Sequence, residues 1–112
     1  MNGAYVASSR TDLYIRASLQ ESLQWVVFEP DDELLWQAVT QQVTTFLTQL
    51  WNEGGLVGAT AADAFVVTCD ASNNPPDQIL NGLLSVEVEV RIVGNPQPTE
   101  LAFTFQVESS GS

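Results

Sequence analysis

The chain has 112 residues and 45% hydrophobic content, which fits a single domain large enough to bury a core. Fourteen acidic residues face only three basic ones, for a formal net charge of -11. Nucleic acids and anionic membranes attract clusters of Lys and Arg, so neither is expected as a partner. A positively charged protein surface is the natural electrostatic partner of such a chain, and the alternative, which is more common, is that an acidic surface serves only solubility.

The residues needed for most catalytic chemistry are missing. With one cysteine and no histidine, the chain can form neither an internal disulfide nor the usual zinc sites. Gly54, Gly55 and Gly58 follow a predicted helix, whereas a phosphate-binding loop links a strand to the helix that it opens. We therefore predict no enzyme, no catalytic, metal or cofactor-binding residue and no cofactor.

No targeting or membrane segment is visible in the sequence. The first residues lack the basic start and apolar core of a signal peptide. No apolar run approaches the ~20 residues that a membrane span requires. We expect a soluble protein that is made and assembled in the cytoplasm.

The first quarter of the chain suggests a strand, a helix and a link. Ala4–Ala7 is a short strand candidate. Ser9 with Asp12 three residues later has the form of a capping box and predicts a helix, which buries Ile15, Leu19 and Leu23. The apolar run Trp25–Phe28 is expected to be a buried extended link before the next helix.

A long helix is predicted from Pro30 to about Gly54. Proline suits a first helical turn, and Asp31, Asp32 and Glu33 then place negative charge on the positive end of the helix dipole. Gly54 supplies a left-handed stop. One apolar stripe at helical spacing is expected to face the core; it comprises Leu35, Val39, Val43, Phe46, Leu47, Leu50 and Trp51.

The second half of the chain predicts strands. After a single helical turn capped by Thr60 and Asp63, residues 64–70 alternate as a strand that turns Cys69 inward as a small apolar residue. Leu84–Val93 is the clearest strand, with valines on one face and charged residues on the other. A final strand carries Leu101, Phe103, Phe105 and Val107 on one face.

The loop Asp70–Asp77 leaves an alternative open. Its oxygen atoms suit a calcium ion, but its spacing matches no known calcium loop, and Asn, Asp and Pro are also common turn formers. A brief helical turn over Gln78–Gly82 follows the loop.

The two terminal strands bear most directly on function. A strand at either end of the chain can close the chain's own sheet or pair with a neighbouring molecule, because bare sheet edges template intermolecular pairing. From the residues alone, both outcomes stay open.

Three stretches in register carry a resemblance to a known family. They are Trp25-Val26-Val27-Phe28-Glu29-Pro30-Asp31-Asp32-Glu33 with Leu35-Trp36, then Phe46-Leu47 with Leu50-Trp51 and Gly54 to Thr60, and finally Ala64-Phe65-Val66-Val67 with Cys69-Asp70. Together they resemble the C-terminal domain of contractile tail sheath proteins of phages, pyocin-like particles and extracellular contractile injection systems. The match runs in order from about Ser9 to Val107.

The resemblance implies a fold and a division of the chain. It implies an α+β fold with two main helices packed on a small mixed β-sheet. A single domain, 1–112, would consist of an N-terminal arm (1–8), a core (9–100), a C-terminal arm strand (101–108) and a flexible tail (109–112). The arm residues Ala4, Tyr5, Val6, Ala7, Leu101, Phe103, Phe105 and Val107 would complete the sheets of neighbouring subunits.

The resemblance also implies a function. The chain would be a structural subunit that polymerises as six-fold rings around an inner tube and contracts to drive the tube through a target envelope. Asp31, Asp32 and Glu33 would lie on the helix that faces the tube. The expected partners are the chain itself, the tube protein, and baseplate and terminator proteins. A tail terminator or baseplate-proximal adaptor on the same domain is the first alternative, and a calcium- or ligand-binding domain is the second.

Two features depart from the family pattern. Sheath subunits are typically longer, with outer domains inserted before this domain, so the chain is interpreted as a minimal sheath, a trimmed fragment or an accessory. The predicted helix between Asp31 and Gly54 lacks the basic residues that relatives place toward the tube. A basic tube surface would then meet an acidic helix.

Overall fold

A computed structural model describes the backbone of residues 3–107 and the side chains of residues 10–107. The main helices are α1 (Gly3–Ser22) and α2 (Glu33–Asn52), with a 3-10 helix between them (Gln24–Phe28). Two short helices, α3 (Ala61–Ala64) and α4 (Pro76–Leu80), accompany three strands: β1 (Phe65–Thr68), β2 (Leu83–Val90) and β3 (Thr99–Gln106). The predicted C-terminal tail, 109–112, lies outside the described residues.

The sheet is antiparallel throughout, in the order β1-β2-β3. The predicted mixed sheet is therefore wrong in this respect. Phe65 pairs with Val90 at one end of β1, and Leu83 pairs with Gln106 at one end of β2. The β2–β3 connection comprises residues 91–98, which is too short for the crossover that a parallel pair needs.

The helices cover one face of the sheet and enclose the core. Helix α2 packs over β1, while α1 and the 3-10 helix pack over β3. Alternate strand residues point into this layer, as the period of two predicts. The core comprises Ile15, Leu19, Leu23 and Val26; Leu35, Val39, Val43 and Leu47; Leu56, Ala64, Phe65 and Cys69; Leu84, Val86, Val88, Val90 and Ile92; and Leu101, Phe103, Phe105 and Val107. The fold is therefore α+β, as expected.

The predicted N-terminal strand is wrong. Residues 4–7 are helical, because α1 begins at Gly3, well before the predicted capping box at Ser9. A strand needs a partner for its backbone groups, and the described sheet contains no strand that pairs with this segment. Continuing the helix satisfies the same groups within the segment.

The region between the two long helices also differs from the prediction. Trp25–Phe28 forms a 3-10 helix rather than an extended link, with Glu29 N–H donating to the Val26 carbonyl at 3.0 Å. Helix α2 begins at Glu33 rather than at Pro30, because Asp32 acts as its N-cap and accepts a hydrogen bond from Leu35 N–H. Pro30 thus belongs to the link and not to the first helical turn.

Most of the remaining elements are confirmed within a few residues. Thr60 caps α3 by accepting from Asp63 N–H. The apolar stripe of α2 is buried at Leu35, Val39, Val43 and Leu47, while Phe46, Leu50 and Trp51 lie at the margin of the core. Among the described residues, no helix is long and apolar enough to cross a membrane.

Candidate assembly surfaces

The outer edge of β3 presents a row of backbone hydrogen-bond donors and acceptors. Val107 N–H donates to the Gly82 carbonyl at 2.7 Å, and the pairing continues to Val90 opposite Thr99. Because donors alternate sides along an antiparallel strand, the N–H groups of Glu100, Ala102 and Thr104 point away from β2. Among the described residues no fourth strand pairs with this edge.

The predicted C-terminal arm residues have their side chains in the core. Leu101, Phe103, Phe105 and Val107 are all buried, and the Phe103 and Phe105 rings stack with centroids 6.5 Å apart. Strand β3 therefore closes the chain's own sheet. A neighbour can therefore reach only the backbone edge of β3 and the exposed side chains at alternate positions, Ala102, Thr104 and Gln106. The pattern of apolar residues in the sequence does not show this difference.

The predicted N-terminal arm residues lie at the start of α1. The backbone at Ala4, Tyr5, Val6 and Ala7 is helical. Their side chains lie outside the described residues. The two predicted arms thus differ in kind, one a helical end and the other an edge strand.

The three acidic residues at the start of α2 occupy different environments. Glu33 is exposed in the first helical turn. Asp32 is the N-cap residue, and its Oδ1 accepts a hydrogen bond from Leu35 N–H. Asp31 is only 1% exposed; its Oδ1 accepts from Trp36 Nε1–H at 2.9 Å, and its buried Oδ2 has no hydrogen-bond partner. Burial raises the pKa of the Asp31 carboxyl. Exposed charge at this helix start therefore comes from Asp32 and Glu33.

The indole N–H groups of three tryptophans form hydrogen bonds between α2 and the segments before and after it. Trp25, from the 3-10 helix, donates to Gln42 Oε1, and Trp51 donates to the Gly58 carbonyl, both at 2.9 Å. Trp36 makes the bond to Asp31 described above. Buried indole groups usually find such partners. The sequence predicted Trp25 and Trp51 as buried residues, but the hydrogen bonds of these rings depend on contacts that spacing does not show.

The loop after β1 uses its polar groups to continue the sheet. Asn74 is buried, and its side-chain amide pairs with the Ser85 backbone, accepting from Ser85 N–H at 2.8 Å and donating to the Ser85 carbonyl at 3.0 Å. Asn73 Oδ1 accepts from Asp70 N–H. A hydrogen bond from the Ser72 hydroxyl lowers the pKa of Asp70. Among the described residues, no group of three or more His, Cys, Asp or Glu could hold a metal ion.

Cys69 is buried in β1's extension, as predicted. Burial, with smaller contributions from the charges of Asp31 and Asp70, raises the pKa of its thiol to about 12. The thiolate is the reactive form of cysteine, so the group is chemically inert near neutral pH.

The sheet face opposite the helices is acidic. Glu87 and Glu89 of β2 are exposed there, and Glu89 lies directly opposite Glu100 of β3. Like charges opposite one another cost stability in a sheet. Within residues 10–107 no ion pair joins these glutamates to an arginine. The three glutamates would disfavour close contact between this face and the same face of a second copy.

Comparisons with known proteins give a family match and a similar solved structure. The model of the family described as phage tail sheath C-terminal domain matches residues 4–108. A chain in a structure described as "Cryo-EM structure of the anti-feeding prophage (AFP) baseplate, 6-fold symmetrised" is similar in fold, with a TM-score of 0.68 and 28% sequence identity. The similarity covers 75% of this chain and 24% of that one, so the present chain corresponds to about a quarter of it. No curated protein matches the sequence.

Proposed function

Because the chain belongs to the phage tail sheath C-terminal domain family, we propose that it is a sheath subunit that polymerises around an inner tube. A structural role in a tail or sheath follows from family membership. The finer role is our proposal: rings of this chain stack along a tube, and their contraction drives the tube through a target envelope.

The unpaired edge of β3 carries the proposal. An eight-residue strand with outward N–H groups at Glu100, Ala102 and Thr104 accepts a strand from a neighbouring subunit without any change in its own core. Strand addition gives affinity through backbone hydrogen bonds, which survive changes in side-chain contacts. Such pairing suits subunits that must stay linked while a sheath contracts.

Ala102→Pro tests the edge, because proline removes one outward N–H and leaves the β2–β3 ladder intact. We expect the variant to fold but to lose polymers when co-produced with its tube, as seen by negative-stain electron microscopy. Ala102→Thr is the matched control, since it keeps the N–H and suits a strand. Polymers of normal length from the proline variant would refute edge pairing.

The start of α2 is proposed to face the tube. Glu33 provides an exposed carboxylate there and Asp32 a partly exposed one, while Asp31 is buried. A tube surface rich in Lys or Arg would complement this end of the helix, in line with the net charge of -11.

A second candidate function is a baseplate-proximal adaptor or tail terminator on the same domain. The similar chain belongs to a baseplate structure, which favours this alternative. An adaptor forms one ring and stops, whereas a sheath subunit adds ring upon ring. Measuring the length of the assemblies against subunit concentration separates the two, because only a sheath subunit lengthens them.

A further inference from the structure

An apolar niche opens between the 3-10 helix and the start of α2. The niche, called the Trp25 niche below, has a volume of about 250 Å³ and is walled by Trp25, Leu34, Leu35 and Ala38, with Glu29 and Asp32 also lining it. Leu34 is 74% exposed, and Phe28, just before Glu29, is 75% exposed. Large apolar side chains left exposed beside a cavity are typical of contact sites.

The walls of the niche are held by hydrogen bonds that need no occupant. The Trp25 indole is fixed to α2 through Gln42 at 2.9 Å. The link that carries Glu29 is held by the bond from Trp36 to Asp31, also 2.9 Å, and by the Asp32 cap. A preformed site loses little conformational entropy on binding, so even a small contact there gives usable affinity.

Size and charge together define the occupant. Small-molecule pockets usually measure ~300–1,000 Å³, so a niche of about 250 Å³ suits one side chain better than a free ligand. Glu29 and Asp32 favour cations next to that side chain. A second copy of this chain is a poor source, because it has three arginines and a net charge of -11.

We propose that the Trp25 niche docks one large apolar side chain of a positively charged partner polypeptide, at a point where Lys or Arg flanks that side chain. This inference deepens the proposed function and rests on it, since it specifies how a partner is held near the tube-facing end of α2. Docking in the niche would add an apolar contact to the electrostatic attraction between the two proteins. A few residues that fill well-packed pockets, often aromatic ones, carry most of the binding energy of a typical protein interface.

The test uses short peptides and the full chain labelled with ¹⁵N. The probe is the acetylated, amidated tripeptide Arg-Phe-Lys, compared with Arg-Ala-Lys and Glu-Phe-Glu. We expect Arg-Phe-Lys to shift the Trp25 indole N–H and the backbone amides of Glu29 and residues 31–38 saturably. Burying one Phe side chain predicts that Arg-Ala-Lys binds about tenfold or more weakly. Equal binding of these two peptides would overturn the apolar anchor.

Two variants locate the binding and a third tests its charge preference. Ala38→Leu fills the niche at an exposed helical position where leucine is well tolerated, and we expect it to abolish the peptide-induced shifts. Thr45→Leu adds the same side chain at an exposed site of α2 outside the niche and should bind as the wild type does. Glu29→Lys should invert the preference between Arg-Phe-Lys and Glu-Phe-Glu.

Each contrary result counts against the proposal. Unchanged binding by Ala38→Leu would place the peptide elsewhere, and concentration-dependent shifts of niche resonances without peptide would assign the niche to self-association. Because the peptides are tested on the unassembled chain, these failures are separate from failure of the sheath role. Loss of polymers in Ala102→Pro with peptide binding intact leaves the niche in place.

Discussion

Burial along α2 differs sharply between neighbouring residues of the predicted apolar stripe. Leu47 is fully buried in the described structure, whereas the next positions toward solvent, Phe46 and Leu50, are only partly covered. Tyr14 of α1 packs against Phe46 with ring centroids 6.0 Å apart. The apolar stripe predicted from the sequence thus includes residues that the core only partly covers. The free energy of unfolding should depend most on the fully buried residues at its centre.

The first prediction concerns that centre. Leu47→Ala should lower the free energy of unfolding by about 2–5 kcal/mol, because it leaves a cavity among buried neighbours. Leu34→Ala, on the exposed side of the same helix, is the control and should change it by about 0.5 kcal/mol or less. Urea denaturation of both variants measures the difference, and equal midpoints would contradict the assigned helix face.

The second prediction concerns Asp31 and pH. A carboxyl whose pKa is raised on folding contributes stability that is present at low pH and is lost as pH rises through the folded-state pKa. Asp31→Asn keeps an acceptor for the Trp36 indole and removes the buried charge. The melting temperature of the variant minus that of the wild type should therefore increase from pH 4 to pH 8. Asp32→Asn, at a partly exposed position, provides the comparison, and a difference for Asp31→Asn that is flat with pH would count against the buried charge.

At the scale of elements, the terminal segments show how sequence and fold separate. Residues 4–7 and 101–107 both suggested strands, yet one became helix and the other became an edge of the sheet. The second found a partner in β2, in register from Leu83 opposite Gln106 to Val90 opposite Thr99. A strand forms only where pairing is available, and pairing is a tertiary property.

The third prediction concerns the N-terminal segment. A chain that lacks the residues before Ser9 should lose only the helical circular dichroism signal of the deleted part of α1, stay folded, and fail to polymerise, if this segment serves neighbours. Among the residues whose side chains are described, 10–107, the first core residue is Ile15, so the truncation deletes none of the described core residues. A chain that ends before Leu101 is the contrasting control and should unfold, because it loses Phe103 and Phe105. Normal sheaths from the N-terminal truncation would refute the arm.

At the scale of the whole molecule, charge decides which surfaces meet. Part of the excess negative charge lies on the sheet face, at Glu87, Glu89 and Glu100, and part lies at the start of α2. The proposed strand pairing would use backbone edges, where charge matters little, whereas two acidic faces would oppose each other. A tube or other partner that covers these surfaces should carry positive charge.

The fourth prediction follows from this separation. Association of the chain with its tube should weaken as salt rises from 50 to 500 mM, because screening shortens the reach of exposed charges to about 8 Å at physiological ionic strength. Self-association of the chain without tube should strengthen or hold over the same range. Co-sedimentation and analytical ultracentrifugation measure the two, and tube binding that ignores salt would remove the electrostatic account.

The sequence by itself determined most of the local elements and the family. The period of α2, the alternation of Val86, Val88 and Val90, and the cap at Thr60 are readable because each depends on neighbours within a few residues. The ordered motifs from Trp25 to Asp70 indicated the sheath domain, which the family comparison confirms. From the sequence, Asn74 was interpreted only as a turn former. In the structure its side-chain amide makes two hydrogen bonds to the Ser85 backbone, as a neighbouring strand would.

Only the tertiary structure decided which charges and edges are available. The sequence gives no reason to expect different exposure for Asp31, Asp32 and Glu33. In the structure Asp31 is buried and bonded to Trp36, whereas the other two reach solvent. The apolar face of β3 belongs to the chain's own core, so its outward backbone groups at Ala102 and Thr104 are what remains for a neighbour. Burial and strand pairing depend on residues far apart in the chain, and local patterns do not contain that information.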